Sequence, residues 1–265
     1  DRIIAIVDEL AASLDAGGIA DAARAIMTTD TVAKECEGIG SGYVVGGMAK
    51  GAGMLAPSLA TMLVVVTTDA VLTSEQADEA LRTATRLSFD RIDSDGCQST
   101  NDTVLLMASG ASGVAPEMGE FTSILTEVCQ DLALQLITDA EGAAHDIEIV
   151  VHQAASEADG LEVARSIARN NLFKCAVFGG DPNWGRVLAA VGTTNAAFDA
   201  RTLDVAINGV MVCRDGGVGD DRSGVDLSNR EVKVEVFLKA GEESVTIFTN
   251  DLTHDYVHEN SAYST

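Results

Sequence analysis

The sequence predicts a mixed α/β protein, and three observations carry that expectation. Segments with helical periodicity alternate with β-branched apolar runs along the chain. Asn208-Gly209 sits between the apolar runs Leu203 to Ile207 and Val210 to Cys213. That is a strong short-range hairpin signal, so a purely parallel sheet is excluded. The length, 265 residues, can bury a sizeable core in one large domain or two small ones.

In chain order, Ile3, Ile4, Val7 and Leu10 recur at helical spacing, and Ala22 to Met27 forms a second short helical piece. From there to residue 61 the chain reads as glycine-rich loop. Met62 to Thr67 is apolar and β-branched, as a buried strand requires. Ala77, Leu81, Ala84 and Leu87 then mark a helix, with Thr73 and Gln76 spaced as a capping box at its start. Thr103 to Ala108 reads as another buried strand, followed by a loop holding Gly110 and Gly113. A long amphipathic helix runs from Phe121 through Leu125, Val128 and Leu132 to Ile137. Ile147, Ile149 and Val151 alternate as a strand, and Gly160 to Asn170 is helical. Val232 to Leu238 alternates with Glu231 to Phe237, and Val245 with Ile247 is expected to pair with it behind Gly241. Asp215 to Gly224, rich in glycine and aspartate, is expected to be a flexible surface segment.

A formal charge of −24 argues against nucleic acid and anionic membranes as partners. Anionic substrates would need local basic residues. The five cysteines are scattered, without a Cys-x-x-Cys pair, which suits a reducing cytosol and hence a cytoplasmic protein. The apolar stretches fall short of the ~20 residues of a membrane helix.

The densest chemical signal is the run from Gly46 to Leu63. It delivers a small-residue junction, Ala60-Thr61, into the apolar run from Met62. Cleavage before Thr61 would give it a free amine beside its own hydroxyl, a compact base–nucleophile pair. A free α-amine ordinarily titrates at about 7.7–8.0, close enough to neutrality to act as base. The plain alternative is a loop entering a strand. The run is not a phosphate loop, because Gly51 rather than serine or threonine follows Lys50.

The wording of that run resembles the self-cleavage segment of the ornithine acetyltransferase family, the bifunctional glutamate N-acetyltransferases of arginine biosynthesis. The resemblance recurs at Ala25 to Thr31, Asp93 to Asp102, Asp139 to Gly142, Asp181 to Arg186 and Glu259 to Thr265, in the family's order. It implies the mixed-sheet layered α/β fold of that family, self-cleaved into two chains. Residues 1–60 would be the C-terminal part of the α chain, and residues 61–265 the β chain beginning with the nucleophile. Family members carry a further segment before the point matching Asp1, including a Thr-Gly pair that forms the oxyanion hole. No segment here matches that pair.

By the same resemblance, Thr61 is the catalytic residue and Ala60-Thr61 the cleaved bond. Thr28, Lys50, Thr61, Glu141, Asn260 and Thr265 would bind substrate. Without the resemblance, Thr28 reads as a helix-end cap, Lys50 as a solvated lysine, Glu141 as an exposed acid, and the C-terminal tail as frayed. Asp181 to Arg186 reads as structural, with Pro182 at a helix start and Arg186 pairing locally. His254 and His258 could share a helix face, but only Glu259 offers a third ligand, so no metal site is expected.

The implied reaction moves an acetyl group from N-acetylornithine to glutamate through an acyl-threonine. No cofactor is implied, and acetyl-CoA is a candidate second acetyl donor. The cleaved chains would stay together and assemble as a heterotetramer. Two rival readings stand beside this one. One is an N-terminal-nucleophile amidase or aminopeptidase, in which water takes the acyl group. The other is an incomplete, inactive binding module, because the oxyanion donors lie outside this sequence.

Overall fold

The computed structural model describes residues 2–15, 17–56, 62–98 and 101–262. The first half of the chain builds a four-stranded sheet. Helices α1 (Arg2–Ala12) and α2 (Ile19–Ala25) precede strands β1 (Lys34–Ile39), β2 (Val44–Lys50) and β3 (Leu63–Thr68). Helix α3 (Ser74–Arg86) crosses over to β4 (Thr103–Ala108), which runs parallel to β3. The sheet order is β1-β2-β3-β4, with the first three strands antiparallel. Helix α4 (Met118–Thr138) covers one face. Its apolar positions Phe121, Leu125, Val128, Leu132 and Leu136 pack with Val45, Val64 and Val66 into one core.

The second half forms a six-stranded sheet. Strand β5 (Asp146–Ala154) is followed by helices α5 (Glu157–Ala168), α6 (Asn171–Phe178) and α7 (Trp184–Val191). Strands β6 (Asp204–Ile207), β7 (Val210–Arg214), β8 (Gly217–Val218), β9 (Glu231–Phe237) and β10 (Glu243–Asn250) complete it, before the final helix α8 (His254–Ala262). The order is β10-β5-β9-β6-β7-β8. A second core joins Ile147, Ile149, Val234 and Val236 of the sheet to Val163, Ile167, Val187 and Val191 of the helices.

Several sequence expectations hold in detail. Thr73 Oγ1 accepts the Gln76 N–H at 3.2 Å while Gln76 Oε1 accepts the Thr73 N–H at 3.0 Å, a complete capping box. Asn208-Gly209 forms the β6–β7 turn, both residues with positive φ.

Other expectations are corrected. The stretch before the junction is not all loop: it contains the β1–β2 hairpin, and Gly46 to Lys50 is strand. A Cβ on Gly47 would stand 2.8 Å from the Leu132 side chain, so glycine there lets α4 lie directly on the sheet. Strand β4 is an edge strand with Leu105 and Met107 exposed, not a buried one. Strand β10 pairs with β5, which lies between β10 and β9, so no β9–β10 hairpin forms. The segment 215–224 lies at the surface as expected, and it also holds the two-residue strand β8, paired to β7. Arg186 does not pair locally; Nη1 reaches the Leu172 carbonyl, and Asn183 caps α7. Among the described residues no helix is long and apolar enough to cross a membrane.

Candidate active site

The glycine-rich chain leaves the sheet at Lys50 and returns at Leu63, and these two residues face each other across the β2–β3 ladder. Residues 51–56 and 62 therefore flank the junction at one end of the first sheet. Ala60 and Thr61 themselves lie outside the described residues, as does Thr265.

Lys50 is buried, at 7% exposure, and among the described residues no ion pair holds its ammonium. Its charge acts on Asp102, whose Oδ1 accepts the Met62 N–H at 3.1 Å. Burial raises the Asp102 pKa, and that N–H together with Lys50 only partly offsets the effect. One carboxylate thus links Lys50 to the residue that follows Thr61.

On the entry side, Asp30 organises the backbone. Its Oδ1 accepts the Gly51 N–H at 2.7 Å and its Oδ2 the Thr28 N–H at 3.1 Å. Lys34 Nζ donates to Asp30 at 2.7 Å and to Asp139 at 2.6 Å, and the Lys34 side chain is fully buried. Burial pushes the Asp30 carboxyl upward, but the Gly51 N–H and Lys34 outweigh it and hold the pKa below its ordinary value. Asp139 also accepts the N–H of Thr31 at 3.0 Å and the Thr31 hydroxyl. This buried triad ties the 28–34 segment to the end of α4 and to the start of the glycine loop.

Glu141 follows two residues after Asp139. Its N–H donates to the Ala52 carbonyl at 2.8 Å, and its Oε2 accepts from Asn260 Nδ2 at 3.2 Å. A Cβ on Gly53 would stand 2.8 Å from that same Oε2, so a larger residue there would push the Glu141 carboxylate aside. Helix α8 brings Asn260 there, anchored by the Thr253 hydroxyl on the Gly142 carbonyl at 2.5 Å. The tail up to residue 262 is therefore ordered helix rather than frayed. Burial, then Glu141 and Asp255, raise the pKa of Glu259 on the same helix. A cleft of about 660 Å³ opens here, lined by Thr29, Thr31, Asp139, Glu141, Arg230 and Glu259 among others. A second cleft, of about 600 Å³, lies between α3, α4 and β10, and its Arg86 and Arg91 are engaged by Glu157.

The fold thus joins Glu141 directly to Asn260, and brings Thr28 and the residue after Lys50 onto one carboxylate. Among the described residues no hydrogen bond joins Thr28 to Glu141, and the exposed Thr28 side chain is not among those lining the cleft. His254 packs edge-on against Phe178, with ring centroids 5.5 Å apart. Sequence reasoning missed Asp30, Lys34, Asp102 and the loop 93–95. The signal was present for three of these, since Asp30, Asp102 and Asp93 to Asp95 stand inside the matched motifs. For Lys34 it was absent, because a lone lysine reads as surface.

If Glu141 holds an ammonium group of the substrate, Glu141→Gln removes a charged hydrogen bond. A bond of that kind is worth roughly 1.5–3 kcal/mol. The donor KM is expected to rise about tenfold to a hundredfold, measured by steady-state kinetics alongside Asn260→Ala. An unchanged KM in both variants removes the role.

The family model described as the ArgJ family matches residues 1–265. The arginine biosynthesis bifunctional protein ArgJ of Thermobifida fusca is 63% identical over 264 residues, covering 100% of this chain and 69% of its own length. Its namesake from Streptomyces coelicolor is 60% identical over 264 residues with the same coverage. The crystal structure of arginine biosynthesis bifunctional protein argJ from Bacillus halodurans matches with a TM-score of 0.69 and 32% identity. It covers 76% of this chain and 98% of that one.

Proposed function

Because this chain belongs to the ArgJ family, matched over its whole length, we propose that it is an acetyltransferase of arginine biosynthesis. It moves the acetyl group of N-acetylornithine to glutamate through an acyl-threonine on Thr61. The observation that supports this reading is the convergence of Glu141, Asn260 and the loop at Gly53, with Lys50 acting on Asp102, which holds the Met62 N–H just after Thr61 in sequence.

Hydrolysis of the Ala60-Thr61 bond leaves a carboxylate on Ala60 and an amine on Thr61. Thr61 Oγ then attacks the acetyl carbonyl while its own amine takes the hydroxyl proton. The acetyl C–N bond breaks, that proton passes to the leaving amine, and ornithine departs. The glutamate amine next attacks the threonine ester and gives a proton to the Thr61 amine; the ester C–O bond breaks and that proton passes to Oγ. Each hard acyl transfer is split into two easier steps.

Lys50 fits a substrate carboxylate, since it is a buried cation without an ion-pair partner among the described residues. Glu141 fits an ammonium group. Thr28 and Thr265 are carried as further substrate contacts by the family resemblance alone. Acetyl-CoA remains a candidate second donor, and no cofactor enters the scheme. Residues 1–60 and 61–265 are proposed as the two processed chains, staying together as a cytoplasmic heterotetramer.

The test is product analysis of purified protein given N-acetylornithine with and without glutamate. N-acetylglutamate formed only with glutamate, with an acetylated Thr61 peptide trapped in its absence, is the expected result. Free acetate formed at the same rate with or without glutamate would move the reading to the amidase. No turnover and no cut chain would move it to the inactive module.

A further inference from the structure

We propose that Lys174 is a positioning residue for acyl transfer and for cleavage at the junction, acting through the loop 93–95 on the backbone of Met54 and Leu55. The inference rests on the acetyltransferase reading above and adds to it a residue from the second sheet's helices.

Lys174 lies on α6, outside every motif that marks the family, yet its side chain is turned inward and it is only 5% exposed. A buried lysine is rare unless its ammonium is used. Here Nζ donates to the Ser94 backbone carbonyl and faces the Thr249 hydroxyl at 3.4 Å. Ser94 in turn donates its N–H to the Leu55 carbonyl at 2.7 Å. The next residue, Asp95, accepts the Met54 N–H on Oδ2 at 2.8 Å. Two consecutive loop residues therefore grip two consecutive residues of the segment leading to the junction, through the Met54 N–H and the Leu55 carbonyl.

The rest of the grip is equally specific. Ser94 Oγ donates to Asn250 Oδ1 at 2.9 Å, and Asn250 Nδ2 donates to the Ile137 carbonyl at 3.0 Å, at the end of α4. Asp93 is held by Arg169 Nε at 2.8 Å. Met54 has φ of +52°, a left-handed conformation that a methionine keeps only when its surroundings impose it. The Asp95 bond to its N–H is part of that imposition. A small polar cavity of about 50 Å³ separates Lys174 from Glu141, bounded also by Asp95, Arg169, Asn250 and Tyr256. It is too small for an amino acid, so Lys174 is placed to hold the scaffold rather than the substrate.

Burial lowers the Lys174 pKa to about 8, with Asp95, Asp93 and Asp251 opposing that fall.

The experiment compares Lys174→Met, Lys174→Arg, Asp95→Ala and the double variant Lys174→Met/Asp95→Ala in the intact protein. It follows the cut fraction by intact mass over time, and kcat and KM for transfer to glutamate. Loss of alignment at a reacting centre costs about a hundredfold. Lys174→Met and Asp95→Ala are each expected to slow cleavage and lower kcat by about that factor, with KM unchanged within about twofold. The double variant should be no slower than the slower single, because both act on one grip. Lys174→Arg should restore much of kcat. Asp95→Ala, whose residue is only half-buried, reads the same grip should Lys174→Met fail to fold. Wild-type cleavage and kcat in Asp95→Ala, or additive losses in the double, would overturn the inference. A wild type that neither cuts nor transfers would instead overturn the acetyltransferase reading.

Discussion

Replacing Thr61 with alanine is expected to leave a single uncut chain and to lower acetyl transfer by about 10⁴–10⁶-fold, as loss of a hydroxyl nucleophile does where nucleophile and base act as a unit. Here the loss is double, because Thr61 would supply both the attacking hydroxyl and, after cleavage, the amine that takes its proton. Thr61→Ser keeps both groups and should retain cleavage at a reduced rate. Intact mass of the denatured protein gives the first answer and a transfer assay the second. Two fragments divided at the same bond in Thr61→Ala would show that another residue breaks it, and the acyl-threonine scheme would fall with that result.

The second large effect is on stability. Lys34→Met leaves Asp30 and Asp139 facing each other in the interior without their cation. Removing one partner of a buried ion pair costs about 3–5 kcal/mol. For a chain of this size that is a fall in melting temperature of roughly 6–20 °C, read by calorimetry or denaturant unfolding. The Asp30 carboxyl titrates below its ordinary value in the fold because the Gly51 and Thr28 N–H groups and Lys34 outweigh its burial. A depressed carboxylate adds stability above its unfolded pKa of about 3.9, and that stability is lost as pH falls through the folded value. Wild-type protein should therefore lose stability below about pH 4 with a slope that Asp30→Asn reduces. A Lys34→Met variant as stable as wild type at neutral pH would mean that the triad contributes nothing net. The same variant should loosen the Gly51 end of the loop, so cleavage is expected to slow with it.

Local signals in the sequence were decisive wherever the physics was local. The Thr73 and Gln76 side chains reach only three residues to close their box, and the Asn208-Gly209 turn needs nothing beyond its own positive φ angles. Helices α3, α4 and α5 were legible because a continuous apolar stripe must be buried somewhere, whatever covers it. Thr61, Lys50, Glu141 and Asn260 were reachable from wording alone, through the motifs they occupy.

Tertiary structure decided the rest, and in each case the partner is distant along the chain. Gly46 to Lys50 looks like loop because glycine weakens a strand; only α4 lying on Gly47 makes it one. Strand β10 pairs with β5 although β9 is nearer in sequence, since two alternating strands in succession specify a sheet but not its order. Nothing in the sequence marks Lys34 or Lys174 as buried; a carboxylate and a carbonyl about 105 and 80 residues away turn them inward. Sequence by itself determined the mixed α/β class, most of the helices and strands after the junction, and the family. The fold alone decided which buried charges hold the described residues on either side of that junction, because the energy of a buried charge depends on partners that only three-dimensional packing brings within reach.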